Sequence, residues 1–139
     1  LIKMESKPLD FTGLKIPRDY LYGKEESDMP VTMQDLMQQY IEEVKKIYGT
    51  HICRIILYGS YARGDYREGS DVDVMVLTSL TDEVIKPVEY KLYDVAFDFL
   101  MEYGVDISII VKNEEHFKYW LGALPFYDNV VKEGVVIDG

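Results

Sequence analysis

Two short apolar runs, separated by a sharp turn and a polar loop, restrict the fold of this chain more than any other feature. Ile52-Cys53-Arg54-Ile55-Ile56-Leu57-Tyr58 is dense in β-branched and apolar residues and stops at Gly59-Ser60. Ten residues rich in polar side chains follow, and Asp71-Val72-Asp73-Val74 then leads into the apolar Met75-Val76-Leu77. Runs of this length and composition, bounded by turn residues, are strands. The first is a buried strand running into a turn. The second has a polar outer end and a buried body.

Helical spacing surrounds these strands. Thr32, with Asp35 three positions on, makes a start like a capping box for a helix over about 32–48. Leu36, Tyr40, Val44 and Ile47 repeat along it and Gly49 stops it. Pro87 suits the first turn of a second helix, on which Val88, Leu92, Val95, Ala96, Phe99 and Leu100 form one apolar face and which Gly104 closes. Val105 to Val111 is a third strand. Asn113, with Glu114 and Glu115 in the first turn, is a weak cap for a short helix to Leu121. Pro125 begins a last helix that Gly134 ends, and Val135-Val136-Ile137 adds an edge strand. The fold class is α/β (α+β), a small mixed β-sheet packed with helices.

Residues 1–30 carry Pro8, Pro17 and Pro30 with Gly13 and Gly23, so regular elements are repeatedly interrupted. They read as an arm, with Leu9, Phe11, Leu14, Ile16, Tyr20, Leu21 and Tyr22 as anchors, and 31–139 as the one folded domain. The first residue is Leu1, the mark of a cloning remnant or a truncation, with Met4 a candidate native initiator. At 139 residues, 47% of them hydrophobic, the chain can bury one core without staples. Fifteen Lys and Arg against 25 Asp and Glu give a net charge of −10, the wrong sign for holding nucleic acid by phosphate neutralisation. No apolar stretch reaches the roughly 18 residues that cross a bilayer. The single cysteine, Cys53, cannot form an internal disulfide, so a soluble protein of the reducing cytoplasm is expected.

The chemistry gathers where the strands end. In a strand, side chains alternate faces at roughly 3.3 Å per residue, so Asp71 and Asp73 project the same way with Cα atoms roughly 6.6 Å apart. Asp106 opens the third strand and brings a third carboxylate. Hard oxygen ligands of this kind select Mg²⁺ or Mn²⁺ over zinc, and paired sites for phosphoryl transfer hold two ions. Gly59 permits close backbone approach, and Ser60 offers an N–H and a hydroxyl at a helix start, which together make a phosphate cradle. Arg63 and Arg67, in the loop that follows, carry forks that fit phosphate oxygens, or else balance Asp65 and Glu68.

The stretch Leu57-Tyr58-Gly59-Ser60-Tyr61-Ala62-Arg63-Gly64-Asp65 through Ser70-Asp71-Val72-Asp73-Val74 resembles the signature of the DNA polymerase beta-like nucleotidyltransferase superfamily, and is closest to its minimal members. The ending Pro125-Phe126-Tyr127-Asp128-Asn129-Val130 to Gly134-Val135-Val136 is also similar, so the likeness covers about 32–137. The resemblance implies the nucleotidyltransferase fold and a two-metal site for nucleoside triphosphate. Gly59, Ser60 and Arg63 would bind the nucleotide, and Asp71, Asp73 and Asp106 would be catalytic and hold the metals. Asp106 would be a metal ligand or a general base. The reaction implied is transfer of a nucleoside monophosphate, AMP from ATP, onto an acceptor hydroxyl. The resemblance further implies a small helical toxin of the HEPN type as partner and acceptor, with this chain as antitoxin, or a second copy completing the site. The alternatives are an aminoglycoside-type enzyme and a non-catalytic module that neutralises a partner by binding.

Other conspicuous residues have plainer readings. His51 and His116 lack ligand partners and are structural. Cys53 packs in the core. Tyr40, Tyr48 and Tyr93 fit helix surfaces that rim a core, Tyr58 and Tyr61 flank the turn within reach of a nucleotide, and Trp120 is a packing anchor.

Overall fold

The computed structural model describes residues 33–138, so the expected arm at 1–30 and the cap at Thr32 lie outside the described residues. Helix α1 spans Met33–Tyr48, and a single 3-10 turn at Gly49–His51 feeds strand β1, Ile52–Tyr58. A one-turn helix α2, Ser60–Arg63, follows, then β2, Val72–Thr78, and the long helix α3, Asp82–Tyr103. Strand β3 is Ile107–Asn113, followed by α4, Glu114–Trp120, α5, Pro125–Glu133, and β4, Val135–Asp138. None of the described helices is long and apolar enough to cross a membrane.

The sheet runs β3-β2-β1-β4. β1 is antiparallel to both β2 and β4, while β2 and β3 are parallel, joined by α3. Strand pleating sorts the side chains into two apolar layers. Ile55, Leu57, Val72, Val74, Val76, Ile107, Ile109 and Val111 pack on one face with Leu36, Tyr40 and Val44 of α1 and Ile85, Leu92 and Phe99 of α3. Ile56, Tyr58, Met75 and Leu77 pack on the other with Phe117 of α4 and Tyr127 and Val130 of α5. The second layer is the smaller one, and it leaves the far end of its face open for polar residues.

The mixed sheet packed with helices is the one expected, with two differences in detail. Helix α3 begins five residues before Pro87, which stands inside it. Thr81 precedes the first turn, Asp82 and Glu83 oppose the positive end of the helix dipole, and buried Ile85 anchors that turn to the core. These gains offset the amide bond that Pro87 cannot donate. Tyr40 lies in the core at 0% exposure, edge-on to Phe99 with ring centroids 5.6 Å apart, rather than at its rim. Asn113 caps α4 as expected, its Oδ1 accepting the His116 N–H at 2.9 Å. It does more, because its Nδ2 donates to the Leu80 carbonyl at 2.9 Å and ties α4 to the loop after β2.

The hydroxyls of Tyr40 and Tyr48 are buried without a hydrogen-bond partner. An orphaned buried hydroxyl costs about 1–3 kcal/mol, whereas its removal leaves a hydrocarbon ring in a hydrocarbon site. Tyr40→Phe is therefore expected to keep or raise stability, by up to about 1 kcal/mol, in urea denaturation. A loss of that size would mean that the hydroxyl has a partner in solution.

Candidate active site

The turn after β1 is built around a residue with no side chain. Gly59 has φ 76° and ψ −156°, a backbone conformation that L side chains rarely adopt, and a Cβ placed on it would run into the Asp73 carboxylate. Asp73 is the register partner of Tyr58 across the β1–β2 ladder, so its carboxylate faces the start of α2. The first helical bond of α2 runs from the Arg63 N–H to the Gly59 carbonyl at 3.0 Å. Ser60 N–H stands ahead of that bond and has no helical acceptor, which leaves it available to an anion.

The acids follow from the pleat. Val72 and Val74 belong to the layer with α1 and α3, so Asp71 and Asp73 project to the opposite face, the one on which Tyr58 packs. Ile107 pairs with Val72 and also faces α1 and α3, which sends the preceding residue, Asp106, to the same side as Asp71. The Val72 N–H donates to the Asp106 carbonyl at 2.8 Å and fixes that juxtaposition. Asp71 and Asp106 lie within hydrogen-bond reach. Partial burial, then the charge of Asp106 and the hydrogen bond to it, hold the Asp71 carboxyl above its ordinary value. Asp73 is raised as well, by burial first and then by Asp71, while Arg63 pulls it back down.

The structure thus brings together Gly59, Ser60, Asp71, Asp73 and Asp106 at one end of three adjacent strands. Asp106 stands one residue before β3 rather than within it. Among the described residues no three aspartate, glutamate, histidine or cysteine side chains are grouped closely enough to hold a metal ion as they stand. The donor set nevertheless suits a hard divalent cation. Asp71 and Asp106 lie together with Asp73 two residues on, and oxygen donors gathered this closely are stabilised by positive charge.

Arg63 is engaged elsewhere. Its Nε donates to Asp65 at 3.1 Å and an Nη to Glu133 at 3.0 Å, tying α2 to the end of α5. Arg67 is exposed in the loop, where its backbone N–H donates to Ser70 Oγ at 2.8 Å. Tyr58 and Tyr61 are buried, and Tyr61 stacks on Tyr66 with centroids 4.4 Å apart. Burial and the nearby Asp73 push the Tyr58 hydroxyl up to about 12. His51 and His116 are exposed, and Trp120 keeps 38% of its surface exposed beside Tyr119 and His116. Burial and then Glu114 push the half-buried Cys53 thiol up, so it is a poor nucleophile.

Two site neighbours escape sequence reasoning. Glu133 meets Arg63 across 70 residues, a separation with no local signal. Phe126, 44% exposed, sits edge-on to Tyr58 at 5.6 Å; its place after a helix-starting proline does not distinguish it from any other residue of a first turn.

The family described as "Nucleotidyltransferase domain" matches residues 37–137. A protein of Methanocaldococcus jannaschii named "Putative protein adenylyltransferase" is 35% identical over 101 residues, covering 73% of this chain and 93% of the relative. A second protein of that organism with the same descriptive name is 32% identical, over 55% of this chain and 76% of the relative. A crystal structure described as a toxin-antitoxin with AMP-PNP superimposes with a TM-score of 0.48 at 21% identity, covering 73% of each chain.

The acids set a pH dependence whose sign is opposite to that of a salt-bridged carboxylate. Asp71 and Asp73 each bind their proton more tightly in the folded chain than in the unfolded one. Their contribution to stability is therefore complete below the ordinary carboxylate pKa and is lost as pH rises through the folded values. In EDTA, Asp71→Asn should gain on the parent from about pH 4 upward and level off once the parent's acids have ionised. Urea denaturation across that range measures the difference. A variant less stable than the parent at neutral pH would show that Asp71 is held by bonds the fold needs.

Proposed function

The chain belongs to the nucleotidyltransferase domain family, and from that premise we propose that it moves an adenylyl group from ATP onto a hydroxyl of a protein acceptor. The observation that carries the reading is the placement of three carboxylates and a side-chain-free turn at one end of three neighbouring strands. The protein acceptor is supported by the descriptive name of the relative that matches over 93% of its length. Within that reading the acceptor is a small helical toxin of the HEPN type, which this chain silences as an antitoxin.

Each residue has a task in this scheme. Asp71, Asp73 and Asp106 would hold Mg²⁺, or Mn²⁺, as two ions. Ions held there would supply positive charge to the triphosphate and acidify the acceptor hydroxyl. Ser60 donates its N–H and hydroxyl to phosphate oxygens, and Gly59 lets them approach the backbone. Asp106, exposed and beside Asp71, takes the acceptor's proton onto a carboxylate oxygen. The acceptor oxygen bonds to the α-phosphorus, the bond from that phosphorus to the β-bridging oxygen breaks, and pyrophosphate leaves. Arg63 supports the cradle by tying α2 to α5.

Incubation with Mg²⁺, ATP labelled at the α-phosphate and a co-expressed helical partner tests the proposal. Label is expected on the partner with the parent chain and none with Asp73→Asn, whose metal-free melting temperature should equal or exceed the parent's. Transfer to an aminoglycoside alone, or neutralisation of the partner without label, would replace the protein-modifying reading. Calorimetry adds a second check: ATP should bind with Mg²⁺ and weakly in EDTA, because uncompensated carboxylates repel a polyphosphate. Ser60→Ala should weaken that binding by about 1–3 kcal/mol, the range of a charge-assisted hydrogen bond.

A further inference from the structure

β3 is an edge strand, and among the described residues no strand pairs with its outer side. The bond from Val72 N–H to the Asp106 carbonyl fixes which way its backbone faces. In a parallel ladder, alternate residues turn both N–H and C=O to the same neighbour. Asp106, Ser108, Ile110 and Lys112 therefore face β2, and Ile107, Ile109 and Val111 turn their N–H and C=O groups outward. Alongside them lies a cavity of about 510 Å³ between Ile109–Lys112, Lys86, Tyr93 and Phe126. Its charged lining is mixed, Lys86 and Lys112 against Asp82 and Glu89, which suits a main chain better than a charged small molecule.

The edge also leads somewhere. The residue immediately before its first outward group is Asp106, in contact with Asp71, so a chain paired to β3 runs directly into the candidate active site. We propose that the acceptor protein docks as an extended segment added to the outer edge of β3, its side chains in the cavity and its hydroxyl-bearing residue passing Asp106. This rests on the reading that the acceptor is a protein. Strand addition supplies affinity through backbone hydrogen bonds and register through alternate side chains, and register is what places one hydroxyl over one carboxylate. The edge at β4 cannot do this, because that strand lies at the other end of the sheet order, two strands away from β2.

The test uses the full chain with Mg²⁺, ATP labelled at the α-phosphate and β-casein as an extended, hydroxyl-bearing probe, together with amide hydrogen exchange. The Ile107, Ile109 and Val111 amides should exchange freely in the chain alone and slow at least tenfold when casein is added. Ile109→Pro deletes an outward N–H without breaking a ladder bond, and should raise the KM for casein at least tenfold with ATP binding unchanged. Ile109 is buried, so Lys86→Trp, which fills the cavity from an exposed helix position, serves as the second variant with the same expected effect. Three outcomes overturn the edge: unchanged KM in both variants, outward amides that casein does not slow although Mg²⁺-ATP binds, or outward amides already protected in the chain alone. Protection that is independent of concentration would assign the edge to residues 1–32, and protection that grows with concentration to a second copy. Absence of Mg²⁺-ATP binding would instead remove the proposed activity itself.

Discussion

The contact between Gly59 and Asp73 governs the whole site end of the molecule. Any side chain at position 59 would occupy the space of the Asp73 carboxylate, and the positive φ at that position is what reverses the chain from β1 into α2. With the turn fixed, the start of α2 and its Ser60 N–H are pointed at the strand that carries the acids. With Asp73 fixed, the pleat of β2 sets Asp71, and the ladder to β3 sets Asp106. One missing Cβ thereby coordinates three strand ends, which no single side-chain interaction among exposed acids could do against their mutual repulsion.

Stability and chemistry are kept apart by the same alternation. Valines 72, 74 and 76 face the large layer with α1 and α3, where core residues such as Leu36, Val44 and Leu92 are fully buried. Residues 71 and 73 of the same strand face the other way. The fold can therefore hold acids whose ionisation opposes folding, because Val72 and Val74 beside them are anchored in an apolar layer on the opposite face. The second layer, with Phe117, Tyr127 and Val130, covers the remaining part of the acid-bearing face and stops at Tyr58 and Phe126.

Most of the fold was legible in the sequence because its signals are local. Apolar runs ended by glycine, helical spacing, and Pro125 and Gly134 at the ends of α5 each act over a few residues. The same holds for Gly59, Ser60, Asp71 and Asp73, which share one hairpin. The departures are non-local. Pro87 reads as a helix start by its own geometry, yet tertiary burial of Ile85 extends α3 past it. Tyr40 carries a hydroxyl that suits a rim, yet the packing of α1 against Phe99 places it in the core. Asp106 was recognisable at the opening of the third expected strand, and its contact with Asp71 appears only when β2 and β3 pair. The engagement of Arg63 by Glu133 could not be read at all, since it depends on where α5 ends in space.

Arg63 shows how such a non-local contact changes a local reading. By sequence it is a fork three residues after the turn, suited either to phosphate or to balancing Asp65 and Glu68. In the structure Asp65 and Glu133 accept from it, so its charge is already balanced, and approach of an anion would have to compete with two carboxylates. Its remaining influence falls on Asp73, where it opposes the rise that burial and Asp71 cause. Asp71, one residue before β2, has no such counterweight among the causes acting on it, which are burial and Asp106. Asp71 and Asp73 are thus electrostatically unequal: Asp73 has a cation opposing its rise and Asp71 has none, yet both hold their protons more tightly than a free carboxylate.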